Sequence, residues 1–252
     1  MKTKVMLVGL LSVAGLLSVA GPAFGQKVKS KNEGDAVKAV LDAQTPDAKI
    51  AAVDNLIGKF KDTEFKAIAL EIAGEASQQK GDSPNAIVYG TRALEADPKN
   101  FQAMLLVSGQ LAQGTKEFDL DKDEKLKRAS KMANEAIATV TAAAKPNPQL
   151  PDEQWANIKK DLIAQAHETL GLVALVDKKY DAAITEFKAA LDGAAMPDLS
   201  TMLRLTAAYN NAKQYDMASA TADRVISAPN APANFKKIAT DEKLRAAKGK
   251  GQ

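Results

Sequence analysis

Cysteine is absent from the 252 residues, and His167 is the only histidine. No disulfide can form, which fits a chain whose core needs no covalent staple. The same absence excludes an exported form anchored through a lipidated cysteine. With one imidazole and no thiolate the usual metal sites cannot be assembled, so neither a metal nor a cofactor is expected. No nucleophile motif accompanies His167, so no catalytic residue is assigned and the chain is not expected to be an enzyme. Aromatic residues are 5% of the sequence, and β-branched runs alternating with period two are scarce, which leaves strands without a home. Charge is close to balanced: the formal net charge is +3, of which Lys2 and Lys4 supply two units, leaving +1. Nucleic-acid binding needs clustered basic surface, and no such footprint is present.

Long apolar runs are confined to the start. Lys2 and Lys4 precede the apolar stretch Val5–Ala20, which Gly21-Pro22 breaks before the small-residue site Ala23-Phe24-Gly25. This order reads as a secretory signal peptide over 1–25, with cleavage expected after Gly25. A membrane anchor needs ~20 apolar residues, more than this run supplies. Nothing later in the chain is apolar enough to span a bilayer. The processed chain is therefore expected to have no membrane span and to be periplasmic or secreted.

Alanine, leucine, lysine and glutamate dominate, and they recur in blocks. In Ala67–Asn100, Gly74 sits mid-helix, Lys80-Gly81-Asp82 forms a turn, and Ala86-Ile87, Ala93-Leu94 and Asp97-Pro98 follow. Ala164–Pro197 repeats the scheme with Leu170-Gly171, Lys179-Tyr180-Asp181, Ala183-Ile184, Phe187 and Ala190-Leu191. Small residues at these places with a period of about 34 residues resemble the tetratricopeptide repeat (TPR). The resemblance, to an exported bacterial TPR protein, implies an all-α solenoid of antiparallel helix pairs wound into a right-handed superhelix. Such arrays build curved surfaces that hold other proteins and rarely carry chemistry.

A disordered, lysine-rich lead-in is expected over 26–34, and the TPR-like body over 35–248. A degenerate helix pair, about Asp35–Ala43 and Pro46–Phe60, closes one end, with Thr45 as cap, Pro46 in the first turn and Asp47 complementing the helix dipole. Repeats follow at about 67–100, 101–143, 164–197 and 199–232, the last recognised by Met202, Leu205, Tyr209, Tyr215, Ala218, Ala222 and Val225-Ile226. A polar helix over 234–248 caps the other end. The second repeat departs from the pattern: extra residues around Gly114–Asp123 split its helices, and a further insertion carries Lys145-Pro146-Asn147-Pro148 and Pro151. Two long consecutive helices, about Asp123–Ala144 and Asp152–Val176, are expected to form an extended hairpin projecting between repeats two and three, with Trp155, Ile158 and Leu162 against Val140. Gly74, Gly171, Ala86, Ala183 and Ala218 are expected to remove volume where paired helices touch, since bulky residues must face holes.

Several residues invite chemistry and are weighed against plainer roles. His167 falls on a packing surface and is read as structural. Asp119-Leu120-Asp121-Lys122-Asp123 opens like a calcium loop, but Glu124 stands where the turn glycine belongs and Ser130 where the closing glutamate belongs. Asp121 or Asp123 is instead expected to cap the helix that follows. Trp155 is either core of the hairpin or an exposed anchor for a partner.

By the TPR register the first helix of each pair lines a concave groove. The residues placed there include Glu71, Glu75, Gln78, Gln102, Leu105, Gly109 and Ala112, then Gln165, Glu168, Leu172, Leu175, Leu203, Ala207 and Asn210. The asparagine and lysine clamp by which related co-chaperones hold a peptide carboxylate is absent. The early half of this face is acidic and amidic and the later half leucine-rich, which suits an amphipathic helix or apolar segment bound by burial. The leucines are either free for that purpose or covered by the protein's own packing. The leading expectation is a non-enzymatic scaffold that binds a protein or peptide partner. The alternative is a self-associating structural protein of the cell envelope acting through the projecting hairpin.

Overall fold

The computed structural model describes residues 27–196 and 198–251. The expected signal peptide and the residue that ends the third repeat, Pro197, lie outside them. The described residues form eleven helices and no strand. They are α1 Lys31–Asp42, α2 Pro46–Lys59, α3 Lys66–Gln79, α4 Ser83–Ala96, α5 Phe101–Gly114, α6 Lys122–Ala142, α7 Asp152–Val176, α8 Tyr180–Gly193, α9 Leu199–Asn211, α10 Tyr215–Ser227 and α11 Ala233–Lys250. Among the described residues no helix is long and apolar enough to cross a membrane.

Local sequence sets the helix starts. At α1 the hydroxyl of Ser30 accepts the Glu33 amide at 3.1 Å, and the Glu33 carboxylate accepts the Lys29 amide at 2.5 Å. The first bond fills an orphaned donor of the opening turn, and the second fixes the residue just ahead of the cap. It also corrects the expected lead-in: residues 31–34 are the first turn of a helix, and Glu33 is only 1% exposed. At α2 the expected cap is present, with Thr45 Oγ1 accepting the Ala48 amide at 3.2 Å and Pro46 in the first turn. Asp82 caps α4 in the same way, accepting from the Asn85 amide at 3.2 Å.

One corner recurs at three helix pairs. Gly81, Lys178 and Lys213 adopt left-handed backbone, with φ of 76°, 58° and 60°. The next amide in each case reaches back to a carbonyl five residues earlier: Asp82 to Ser77 at 2.9 Å, Lys179 to Ala174 at 2.8 Å and Gln214 to Tyr209 at 2.8 Å. This left-handed cap satisfies carbonyls at a helix end and reverses the chain, so each pair is antiparallel by local geometry.

The contacts divide the chain into two units. The first holds the described residues up to Val107 together with Ala144–Asp152, so the proline-rich connector belongs with the opening helices. Its core gathers Val40, Val53, Leu56, Ala69, Ile72 and Ala73. Here α3 crosses α4 closely: a Cβ built on Gly74 would lie 3.4 Å from the Ala86 oxygen, 3.4 Å from the Gly90 nitrogen and 2.6 Å from Leu106 Cδ2.

The second unit holds Ser108–Ala143 and the chain from Glu153 onward. Phe187, Leu205, Tyr209, Ala218, Ala222 and Val225 lie at its centre. Lys159 Nζ ties α7 to α6 by donating to the Thr141 carbonyl at 2.9 Å. The closing helix α11 buries Ala239 and Ala246 fully. Asn210 Nδ2 on α9 fastens it by donating to the Glu242 carbonyl at 2.9 Å and carboxylate at 2.7 Å.

Candidate functional site

In the first unit, α3 presents Glu71, Glu75 and Gln78 at spacings of four and three, which places them on one helical face. Glu71 is 2% exposed, Glu75 is 9% exposed, and Gln78 is half-buried. Asn100, at the start of α5, donates from Nδ2 to Glu71 Oε2 at 2.7 Å while its own Oδ1 accepts the Ala103 amide at 2.9 Å. Glu71 Oε1 and Gln78 Oε1 are buried and accept nothing.

Burial pushes the Glu71 carboxyl up to about 8; the charges of Glu75 and Asp97 add to this, and the Asn100 hydrogen bond opposes it. Burial likewise raises Glu75 to about 7, against the pull of Lys49 on α2. Near neutral pH this face can take up or release protons, as few surface carboxylates can. Leu105, placed on the same face of the array by register, is 2% exposed and belongs to the interior.

The second unit treats its residues differently. Gln165 and Glu168 are half-buried on α7, and Glu168 pairs with Arg204 of α9. Partial burial lowers the pKa of Arg204, and both side chains of the pair keep some exposed surface. Leu172 and Leu175 pack on the core from its edge and keep part of their surface, whereas Leu203 is 9% exposed within it. Of the leucines proposed for partner burial, only Leu172 and Leu175 retain surface. Asn210 is 4% exposed and occupied with Glu242. Trp155 is 8% exposed with Lys159 Nζ 5.6 Å from its ring centre, which places it in the interior rather than out as an anchor.

His167 Nδ1 stands 2.7 Å from Glu186 Oε2 and links α7 to α8. The Asp119–Asp123 run is a turn held by a lysine. Asp119 Oδ2 accepts the Lys116 amide at 3.0 Å, and Lys125 Nζ lies 2.9 Å from Asp121. Asp121 occupies the cap position of α6 but makes no side-chain cap bond, which corrects the expected cap; its carboxylate answers Lys125 instead. That hydrogen bond holds the Asp121 carboxyl below its usual range. Among the described residues no group of three His, Cys, Asp or Glu is placed to hold a metal ion.

Sequence reasoning missed Asn100 and Lys49, whose roles depend on tertiary placement, and Arg204, whose partner Glu168 lies on another helix. It also missed Phe118 and Leu120, which stand 89% and 108% exposed on the turn after α5. The signal for these two was available, as apolar residues inside an otherwise charged insertion.

The arrangement of paired helices with left-handed corners is a helical repeat of the TPR type. A thermophilic TPR protein of Thermus thermophilus superposes with a TM-score of 0.56 over 84% of this chain and 99% of that one, at 15% identity. An assembly chaperone of RpL4 matches with a TM-score of 0.46 over 88% of this chain and 98% of that one, at 12% identity. The first likeness shows the fold. No protein-family model matches the chain, and no curated protein matches it.

Proposed function

We propose that the protein is a non-enzymatic scaffold that binds a segment of another protein along the first helices of its hairpins. The TPR-type fold supports the reading, because stacked helix pairs expose one helix of each pair as a recognition surface. The observation that carries it is on α7, where Leu172 and Leu175 keep exposed surface beside the half-buried Gln165 and the Glu168–Arg204 pair. An apolar strip edged by polar groups suits an amphipathic helix or an extended segment.

Affinity recovery from an envelope extract tests the reading, with wild type beside a Leu172→Ala, Leu175→Ala variant whose helicity is checked by circular dichroism. A protein recovered with wild type and lost with the folded variant supports binding on α7. Equal recovery with both contradicts it.

Export forms part of the same proposal. The order of charged start, apolar run and small-residue site over 1–25 supports a working protein in the periplasm or outside the cell. Mass spectrometry of protein purified from the envelope fraction should find a chain beginning at Gln26. Full-length chain confined to the cytoplasm would refute export.

A further inference from the structure

We infer that the Glu71–Glu75–Gln78 face of α3 binds a cationic nitrogen group, the ammonium of a lysine or the guanidinium of an arginine on a partner segment. The inference rests on the scaffold reading and gives the chemistry that one part of the surface selects.

Two acceptors on the face have no donor. Glu71 Oε1 and Gln78 Oε1 are buried and unpartnered. The one neighbouring amide that reaches Glu71, from Asn100, is spent on Oε2 at 2.7 Å, and its oxygen is spent on the cap of α5. Protonation removes the charge of Glu71 but supplies no donor to the Gln78 oxygen. A water molecule supplies donors but no charge, and leaves two buried carboxyls to repel each other through space. A nitrogen cation supplies both. Ammonium offers three donors and guanidinium five, and each makes its strongest hydrogen bonds to carboxylate.

Asp97 at the end of α4 adds negative potential at Glu71, which favours a cation, whereas Lys49 on α2 already acts on Glu75 through space and opposes one. The entry is on the Glu75 and Gln78 side, since Glu71 is 2% exposed and Gln78 only half-buried. Because burial holds both carboxyls near neutral values, a cation must displace protons as it binds, and binding should tighten as pH rises from 6 to 9.

Isothermal titration calorimetry of the full chain provides the test, with hexa-arginine, hexa-lysine and the neutral isostere hexa-citrulline as probes. The expected result is binding of one or both cationic peptides and none of hexa-citrulline. The heat at pH 7 should differ between phosphate and Tris buffers by the ionisation of released protons. Glu75→Gln and Glu71→Gln should each weaken binding about tenfold or more, the effect of removing one charged hydrogen-bond partner. Glu95→Gln, on the exposed side of α4, should leave it unchanged. Should Glu71→Gln fail to fold, Glu75→Gln carries the comparison. No binding to wild type, equal binding of hexa-citrulline, equal weakening by Glu95→Gln, or heat independent of buffer would each overturn the inference. Partner recovery that depends on Leu172 and Leu175 in the absence of any cation binding would overturn this inference alone and leave the scaffold reading standing.

Discussion

Gly171 on α7 and Phe187 on α8 share a single space. A Cβ built on Gly171 would lie 2.6 Å from both Cδ1 and Cε1 of the Phe187 ring, and that ring is fully buried. The ring has no free direction in which to retreat, so small and large residues on the two helices are one packing decision. Gly171→Ala should destabilise the protein by about 1–3 kcal/mol through overpacking. Adding Phe187→Leu should recover part of the loss, because the smaller side chain vacates the clash. Urea denaturation of the single and double variants checks this; strictly additive losses would contradict the shared space.

The left-handed corners give a second expectation. Lys213 is exposed and sits at φ 60°, a backbone region that a side chain resists and glycine accepts. Lys213→Gly should therefore stabilise the second unit by up to about 1 kcal/mol, despite the greater entropy of glycine in the unfolded chain. Gly81→Ala, at φ 76°, should cost about 1 kcal/mol. Thermal melts that shift in the opposite directions would show that these corners are not what closes the helix pairs.

Stability should depend on pH through the buried carboxyls. Glu71 and Glu75 rise from the ordinary value of 4.5 to about 8 and about 7 on folding. The folded chain thus holds protons that the unfolded chain has lost between 4.5 and those values. Their effect on stability is most favourable at acid pH and declines as pH rises through this window. Carboxyls that folding lowers, such as those of Asp82 and Asp121, act in the opposite sense and at pH below the window. The urea midpoint of wild type should fall between about pH 5 and 8.5, and a Glu71→Gln, Glu75→Gln variant should fall much less. Parallel curves for the two proteins would mean that the carboxyls are not buried in solution.

Leu203 separates packing from recognition. It is 9% exposed inside the second unit's core, so Leu203→Ala should cost about 2–5 kcal/mol. Leu172 and Leu175, which pack only from the core's edge, should cost less on truncation. If Leu203→Ala left the denaturation midpoint unchanged, that side chain would be free for a partner after all.

The legible parts of the chain were those governed by local rules. Thr45 with Pro46 and the Lys80-Gly81-Asp82 corner each depend on a few neighbouring residues, and the structure has them; the volume gaps at Gly74 and Gly171 face other helices and were legible through the repeat spacing. The Ser30–Glu33 capping pair was equally local, but the surrounding lysines read as an unstructured lead-in and hid it. Register put Glu71, Glu75 and Gln78 on one face, yet periodicity reports direction and not depth. Carboxylates are almost never fully buried unless paired, so their covering had no signal in sequence. Leu105, Leu203 and Trp155 show the same limit: spacing placed them, and only the packed neighbours decided that they would be covered. The connector 144–152 carries prolines that break helices, but nothing in it announces that it joins the first unit.

The central claim is that a partner lies along the first helices of the hairpins, and hydrogen exchange on the complex tests it most directly. With the recovered partner bound to the full chain, amides of α3 and α7 should exchange more slowly, and the α3 protection should weaken in the Glu75→Gln variant. Protection confined to the turn that carries Phe118 and Leu120, with α3 and α7 unchanged, would contradict the account and move recognition to that turn.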